Sequence, residues 1–226
     1  MRRGEDFDLY LHELIEWNKK FNLTAITEPS DIKLKHFADS LALLDVIKLT
    51  DEAVIDVGAG AGFPGLPLKI ACPGIKLTLL EATGKKVEFL KHLVTKLNLS
   101  DVTVIKERAE EFAKEKREVF DIAVARAVAR LNILAEYCLP FVRVGGLFVA
   151  YKEWPVDEEA NQADPAIHLL GGKVREIKKV QLWLDGARHR PDSNLQRSLV
   201  IIEKIKPTPP KYPRRTGIAR KNPLVP

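Results

Sequence analysis

The sequence predicts an α/β fold, a mostly parallel, doubly wound sheet with an antiparallel C-terminal edge strand and an N-terminal helical extension. Three observations lead to it. Short apolar, β-branched runs alternate with segments of helical period from Val54 to Lys152, as in a parallel sheet with helical crossovers. The first run enters Gly58-Ala-Gly-Ala-Gly62, a turn with glycine at alternate positions. The segment ahead of it is helical in spacing and holds no strand pattern. A chain of 226 residues is long enough for one such domain with an appendage.

The elements follow in order. Phe7, Tyr10, Leu11, Leu14, Ile15, Trp17 and Phe21 lie mostly at helical spacing. Pro29 breaks that pattern, and Asp31 to Ile47 gives a second helix through Ile32, Leu34, Phe37, Leu41, Leu44 and Ile47. These helices form an extension over residues 1–50 that packs on a core of residues 51–206. Strands are predicted at Val54–Val57, Lys76–Leu80, Val102–Lys106, Ile122–Ala125 and Leu147–Lys152. After the second strand, Val87, Leu90, Leu93, Val94 and Leu97 share one helix face. A further helix runs from Asn132 to Val142 and stops ahead of Gly145-Gly146. Beyond Lys152 the character changes. Val174–Trp183 and Ser198–Lys206 read as two strands joined by the polar, turn-rich Asp185–Asn194, an antiparallel pair closing the sheet edge. Residues 207–226 form a basic, Pro-rich tail.

Composition excludes several classes. An apolar fraction of 46% and a charged fraction of 30% belong to an ordinary globular protein. No apolar run is long enough to span a bilayer, and the first residues carry acids where a signal peptide needs an apolar core. A cytoplasmic location with no membrane partner is expected. Cys72 precedes a proline at a helix end and Cys138 lies in an apolar helix segment, so both read as core thiols. Neither they nor any His/Asp/Glu cluster has metal-ligand spacing, and no metal is expected.

The glycine turn points to a nucleotide-like ligand, because glycine admits positive φ and close backbone approach. Asp56 stands two residues before Gly58. A carboxylate there repels a diphosphate and attracts a cation, which favours S-adenosylmethionine, with its sulfonium and ammonium, over NAD. Glu81 ends the second strand at a spacing suited to ribose hydroxyls in either cofactor. Ligands in such sheets sit beyond the C-terminal strand ends. Those ends present Gly58, Gly60, Gly62 and Phe63, then Glu81, Ala82 and Thr83, then Ala109 and Glu110 beside an adenine, then Arg126 and Lys152. Arg126 is placed to hold a cofactor carboxylate or a nucleic-acid phosphate through its planar fork. The alternative is an ion pair with Asp56 or Glu81. His36 and Asp39, one helix turn apart, read as a packing or capping pair.

From Lys204 to Pro226 there are seven Lys or Arg and no acid, which more than accounts for the net charge of +5. A basic tail on a slightly acidic body suggests a polyanionic partner, most simply nucleic acid. The sequence lacks an Asp/Asn-Pro-Pro-Tyr box for methylation of an exocyclic amine, and it lacks a reactive cysteine context for pyrimidine C5 chemistry. What is missing fits a nucleophile that needs no deprotonation. Guanine N7 is one, with a free lone pair in the neutral base, and its methylation depends mostly on alignment.

Asn22-Leu-Thr-Ala-Ile26, Lys35-His-Phe-Ala-Asp-Ser-Leu41, Asp56 to Gly65 and Val124-Ala-Arg-Ala-Val128 together resemble the RsmG (GidB) family. So do Gly145-Gly146 with Lys152, and the tail from Thr208 to Gly217. The resemblance covers almost the whole chain. It implies a class I, Rossmann-like methyltransferase that modifies N7 of a guanosine, nucleotide position 527, in bacterial 16S ribosomal RNA. It also implies cofactor contacts at Gly58, Phe63, Glu81, Ala109, Glu110 and Arg126.

The expected protein is an S-adenosylmethionine-dependent rRNA guanine-N7 methyltransferase. Arg126 acts as a positioning residue without a general base, and Lys152, Arg197, Lys211, Arg214, Arg215, Arg220 and Lys221 hold RNA. The partner is 16S rRNA within the small subunit or an assembly intermediate, and the protein acts as a monomer. The rival readings are a non-catalytic RNA-binding assembly factor on the same fold and an NAD-dependent oxidoreductase. The first would need a degenerate cofactor loop, and the second is opposed by Asp56.

Overall fold

A computed structural model describes residues 2–126, 129–182 and 196–224. Trp183, the polar turn Asp185–Asn194 and Val128 of the fourth strand's motif lie outside the described residues. The chain opens with α1 (Arg2–Phe21). A broken helical stretch follows: α2 (Pro29–Ile32), a π-helical segment (Lys33–Ala38), α3 (Asp39–Leu41) and a 3-10 turn (Ala42–Asp45). The expected single helix from Asp31 is therefore several helical geometries in series. Pro29 starts it rather than ending something, since a proline at the first helical position gives up an N–H that has no partner there anyway.

Then come β1 (Ala53–Val57), α4 (Gly65–Ala71), β2 (Lys76–Glu81), α5 (Gly84–Lys96), β3 (Val102–Lys106), α6 (Ala109–Glu115) and β4 (Phe120–Arg126). The remainder is α7 (Leu131–Cys138) with a 3-10 turn (Leu139–Phe141), β5 (Val142–Glu153), α8 (Asp157–Leu169), β6 (Gly172–Gln181), β7 (Gln196–Lys204) and α9 (Ile218–Lys221).

The seven strands run in the order β3-β2-β1-β4-β5-β7-β6. Strands β1 to β5 are parallel, and β7 is antiparallel to both of its neighbours. The last strand of the chain is thus inserted between β5 and β6, and β6 is outermost. The order reverses between β1 and β4, and that switch point opens the crevice in which such sheets bind ligands. One sheet face packs on α1, the broken helical stretch, α4 and α5 through Tyr10, Leu14, Phe63, Leu66, Phe89 and Leu90. The other packs on α6, α7 and α8 through Phe112, Leu134, Phe141 and Ile167, and Tyr212 of the tail joins that core.

Three features add to the sequence reading or depart from it. The helical segment does stop ahead of Gly145 and Gly146, at Phe141, but the glycines lie inside β5, where its register against β4 shifts between the Phe120–Val142 and Ile122–Leu147 pairs. A Cβ at Gly146 would stand 2.5 Å from the Asp121 carbonyl oxygen, so the irregularity admits only glycine there. Helix α8 carries little sequence signal: its buried side is made of Ala160, Ala163, Ala166 and Ile167, and Pro165 interrupts its pattern. Lys204 is not a tail cation. Its fully buried ammonium donates to the Leu139 and Val142 carbonyls at 2.6 and 3.2 Å and to Thr208 Oγ1 at 2.7 Å, and it pairs with Glu118 at 3.0 Å. Among the described residues, no helix is long and apolar enough to cross a membrane.

Candidate active site

The ends of β1 and β2 build the glycine turn. The N–H groups of Gly58 and Ala59 donate to the Leu80 carbonyl at 2.8 and 3.1 Å. Gly58 and Gly62 have φ of 76° and 100°, a region that L side chains rarely adopt. At Gly62 a Cβ would also lie 2.5 Å from the Tyr10 hydroxyl and 2.6 Å from Leu66 Cδ1. At Gly58 nothing stands within 4 Å of that position, so the turn is tight on its inner side and open on the crevice side. Tyr10 donates to the Ala61 carbonyl at 2.6 Å, which fastens α1 to the turn.

The two acids expected near the cofactor are both buried and hold the turn. Glu81 Oε2 accepts the Gly60 N–H at 3.0 Å, and Oε1 accepts the Thr83 N–H at 2.7 Å. Asp56 is fully buried; its Oδ2 accepts the Gly65 N–H at 2.8 Å, and its Oδ1 has no hydrogen-bond partner. Burial pushes its pKa up to about 7, against the pull of the Gly65 hydrogen bond and of Arg126, while Glu81 adds a smaller upward push. A Cβ at Gly65 would meet this carboxylate at 2.9 Å, so glycine lets α4 start directly on it.

Arg126 leaves the end of β4 and crosses to the N-terminal helices. Its guanidinium donates to the Lys35 and His36 carbonyls at 3.2 and 3.3 Å and to Asp39 Oδ2 at 3.2 Å, and lies 3.1 Å from His36 Nδ1. It also covers the Phe63 ring at 4.9 Å. Lys35 and His36 belong to the π-helical segment, a geometry that recurs at functional sites because it distorts the regular carbonyl ladder. The partner is therefore Asp39, not Asp56 or Glu81. Asp39 also faces Arg197, whose Nε lies 3.4 Å from Oδ1. Burial raises the Asp39 pKa, and both arginines oppose the shift. His36 stacks on Phe63 at 4.5 Å, and its Nε2 lies 2.9 Å from Thr24 Oγ1. Burial first, and then the Arg126 charge, lowers its pKa to about 4, so the ring is neutral at physiological pH.

His36, Asp39, Phe63, Arg126 and Arg197 line one crevice of about 1090 Å³ at the C-terminal end of the sheet, whereas Asp56, Gly62, Glu81, Ala82, Thr83, Ala109 and Glu110 are not on its wall. That exceeds the usual range for a single small-molecule site, about 300–1,000 Å³. The structure brings Gly58, Gly60, Phe63, Arg126, Lys152 and Arg197 together on its wall. Lys152 pairs with Glu159 at 2.7 Å and donates to the Ala129 carbonyl at 3.1 Å. Ala82 and Thr83 sit just past β2, and Ala109 and Glu110 open α6. Glu110 is buried, and its Oε1 accepts the Gly217 N–H from the tail at 2.9 Å.

Among the tail cations, Lys211, Arg215, Arg220 and Lys221 are exposed. Arg214, expected to hold RNA, is tied into the fold: its Nε and Nη2 bind Glu136, which is 1% exposed, at 2.9 and 2.6 Å. Sequence reasoning missed the placement of His36, Asp39 and Tyr151 on the crevice wall, where the Tyr151 hydroxyl donates to the Ser40 carbonyl at 2.9 Å. The one available signal was the His36–Asp39 spacing on a helix lying outside the strand–helix alternation.

A family model described as rRNA small subunit methyltransferase G (GidB) matches residues 3–188. Two proteins called Ribosomal RNA small subunit methyltransferase G are similar over nearly the full length. That of Alkaliphilus metalliredigens is 50% identical, covering 95% of this chain and 88% of its own. That of Desulforamulus reducens is 46% identical, covering 97% and 89%. Among solved structures, the precorrin-6y C5,15-methyltransferase of Geobacter metallireducens superposes with a TM-score of 0.56 at 16% identity, over 74% of this chain and 87% of that one. The M. jannaschii TYW2 in complex with AdoMet gives 0.53 at 15% identity, over 69% and 70%. These two likenesses establish the fold, a Rossmann-like methyltransferase sheet.

Proposed function

The chain belongs to the GidB family of rRNA small subunit methyltransferases, and from that premise we propose that it methylates N7 of a single guanosine of bacterial 16S rRNA. It is a methyltransferase, and its cofactor is S-adenosylmethionine. In this reading it works in the cytoplasm as a monomer, on the small subunit or an assembly intermediate. The residues fit the cofactor. The space beside Gly58 is open, the Asp56 Oδ1 is buried without a partner, and Glu81 keeps acceptor capacity beyond its two N–H bonds. Gly58 to Phe63 would hold the methionine end, Glu81 the ribose hydroxyls, and Ala82, Thr83, Ala109 and Glu110 the adenine side. When bound, the cofactor supplies a methyl group on a sulfonium, open to direct displacement.

The observation that supports N7 is the state of the titratable groups in the crevice. His36 is neutral with its pKa near 4, and Asp39 is occupied by two guanidinium groups. His36 is therefore not a base poised near neutral pH, as abstraction of a proton from an amine or hydroxyl would require, and Asp56, whose pKa is raised to about 7, is fully buried and is not part of the crevice wall. A neutral guanine needs only its N7 lone pair aimed along the displacement line. The residues then have to orient the base and keep water out. Arg126, Lys152 and Arg197 line the crevice as cations that could hold the nucleotide's phosphates.

N7 methylation leaves a positive ring and a fragile glycosidic bond. Small-subunit RNA treated with the protein and cofactor should therefore cleave at one guanosine after borohydride reduction and aniline. A methyl group on an exocyclic amine, a pyrimidine C5 or a ribose oxygen would overturn the assignment. The exposed tail cations make a separate expectation. Replacing Lys211, Arg215, Arg220 and Lys221 by alanine should flatten the slope of log affinity for RNA against log salt, by about 0.7–0.9 for each phosphate that these side chains neutralise. An unchanged slope would remove these residues from the RNA interface.

A further inference from the structure

Residues 208–224 do not trail from the fold; they cross the face made by α6 and α7. The Arg117 guanidinium donates to the carbonyls of Thr208, Pro209 and Tyr212 at 2.6, 3.0 and 2.7 Å. Thr208 donates to the Leu170 carbonyl at 2.6 Å. Arg214 then closes on Glu136 with its guanidinium fork, and its own N–H reaches Glu136 Oε1 at 2.9 Å. Immediately beyond that clasp, Thr216 Oγ1 donates to Glu111 at 3.0 Å, and the Gly217 N–H donates to Glu110 at 2.9 Å. The chain comes back to α7, where Asn132 Nδ2 donates to the Leu224 carbonyl at 2.6 Å.

The tail thus grips both carboxylates of the first turn of α6. That helix has seven residues and the tail's own α9 has four, lengths at which helices in water are held by tertiary packing rather than by themselves. The strongest interaction in the segment is the Arg214–Glu136 pair, bidentate and charge-assisted, three residues before the N–H that fixes Glu110. Resting on the reading that Ala109 and Glu110 receive the adenine, we propose that residues 214–217 are a latch that sets the adenine end of the cofactor site, with Arg214 as its positioning residue. One segment then carries two jobs on different atoms: Arg214 and Gly217 are tied inward to Glu136 and Glu110, while Arg215 and Lys221 are exposed.

Calorimetry on the full-length protein tests this with two probes, S-adenosylhomocysteine and adenosine. Arg214→Ala should weaken both by about tenfold, the effect of removing one charged hydrogen-bonded pair. In steady-state assays the KM for the cofactor should rise while kcat and the KM for RNA stay near wild type. Glu110→Ala should weaken both probes as well. Thermal melting without ligand checks that each variant is folded. If Arg214→Ala does not fold, the isosteric Glu136→Gln takes its place, with a smaller loss in the same direction. Weakening by Glu110→Ala together with unchanged binding in the clasp variant would overturn the latch and keep the adenine reading. Unchanged binding in Glu110→Ala would overturn that reading itself. A clasp variant that loses S-adenosylhomocysteine but binds adenosine normally would also overturn the latch, because the effect would lie at the methionine end.

Discussion

Arg126→Ala should reduce kcat/KM for methyl transfer by about a hundred- to a thousandfold, the scale seen when a preorganised donor is removed from a reacting centre. The guanidinium spans the switch point of the sheet, joining the end of β4 to Lys35, His36 and Asp39 and covering Phe63. Its loss removes a cation from the crevice and frees the helical stretch that forms the crevice wall. A stability cost accompanies it. Asp39 is 3% exposed and would keep only Arg197, at 3.4 Å; stripping one partner from a buried pair costs about 3–5 kcal/mol. Arg126→Lys separates the two effects. It retains a charge near Asp39 but cannot reproduce the planar fork, so stability should largely return while activity stays low. Initial rates and thermal melts on both variants decide the matter, and wild-type activity in a folded Arg126→Ala protein would remove this residue from the mechanism. The alanine variant should also let the His36 pKa climb from about 4, because the Arg126 charge is the second contribution holding it down; an imidazole titration followed by NMR would report the change.

Asp56→Asn is expected to make the ligand-free protein more stable above neutral pH. The folded-state pKa of Asp56 is raised to about 7, chiefly by burial, whereas an unfolded aspartate titrates near about 3.9. The native state therefore keeps a proton that the unfolded chain has released. The stability tied to that proton is fully present below about pH 4 and is lost as pH rises through about 7, and its size is about 4 kcal/mol. Asparagine keeps an oxygen for the Gly65 N–H and carries no titration. The stability difference between variant and wild type should shift toward the variant by about that amount between about pH 4 and about pH 8. Urea denaturation across that interval measures it, and a pH-independent difference would show that the buried carboxylate does not titrate there. The same variant should bind the cofactor more weakly, because it removes the carboxylate proposed to attract the cofactor's cationic methionine end.

The parallel strands were legible because each is a short apolar run bounded by turn residues, and the glycine turn was legible because its φ angles demand glycine. Helix α8 was not, since small alanines make its buried side and Pro165 disturbs its period. Gly145 and Gly146 carry a helix-stop signal and in fact serve a strand irregularity; both uses need glycine, and the sequence does not distinguish them. The ion pairs were out of reach for a different reason. Arg126 with Asp39, and Arg214 with Glu136, join residues 87 and 78 positions apart. Periodicity reports which face a residue occupies, and nothing in it says which distant face will be opposite. For that reason the tail read as a string of free cations, and the His36–Asp39 pair as a local detail of one helix.

The placement of β7 between β5 and β6 has a bearing on how the molecule comes into being. Five strands can assemble in the order of synthesis, each beside a predecessor, but the sixth has no partner until the seventh has been made. β7 brings Arg197, and the residues just after it bring Arg214 and Gly217. A nascent chain that has finished its parallel sheet therefore carries an intact glycine turn and an unpaired β5 edge, with neither the Arg197 cation nor the brace on α6. Sequence-distant pairing of this kind slows folding and leaves strand edges exposed in the meantime. The edge of β5, the Arg197 cation and the brace on α6 therefore all wait on the last-made part of the chain.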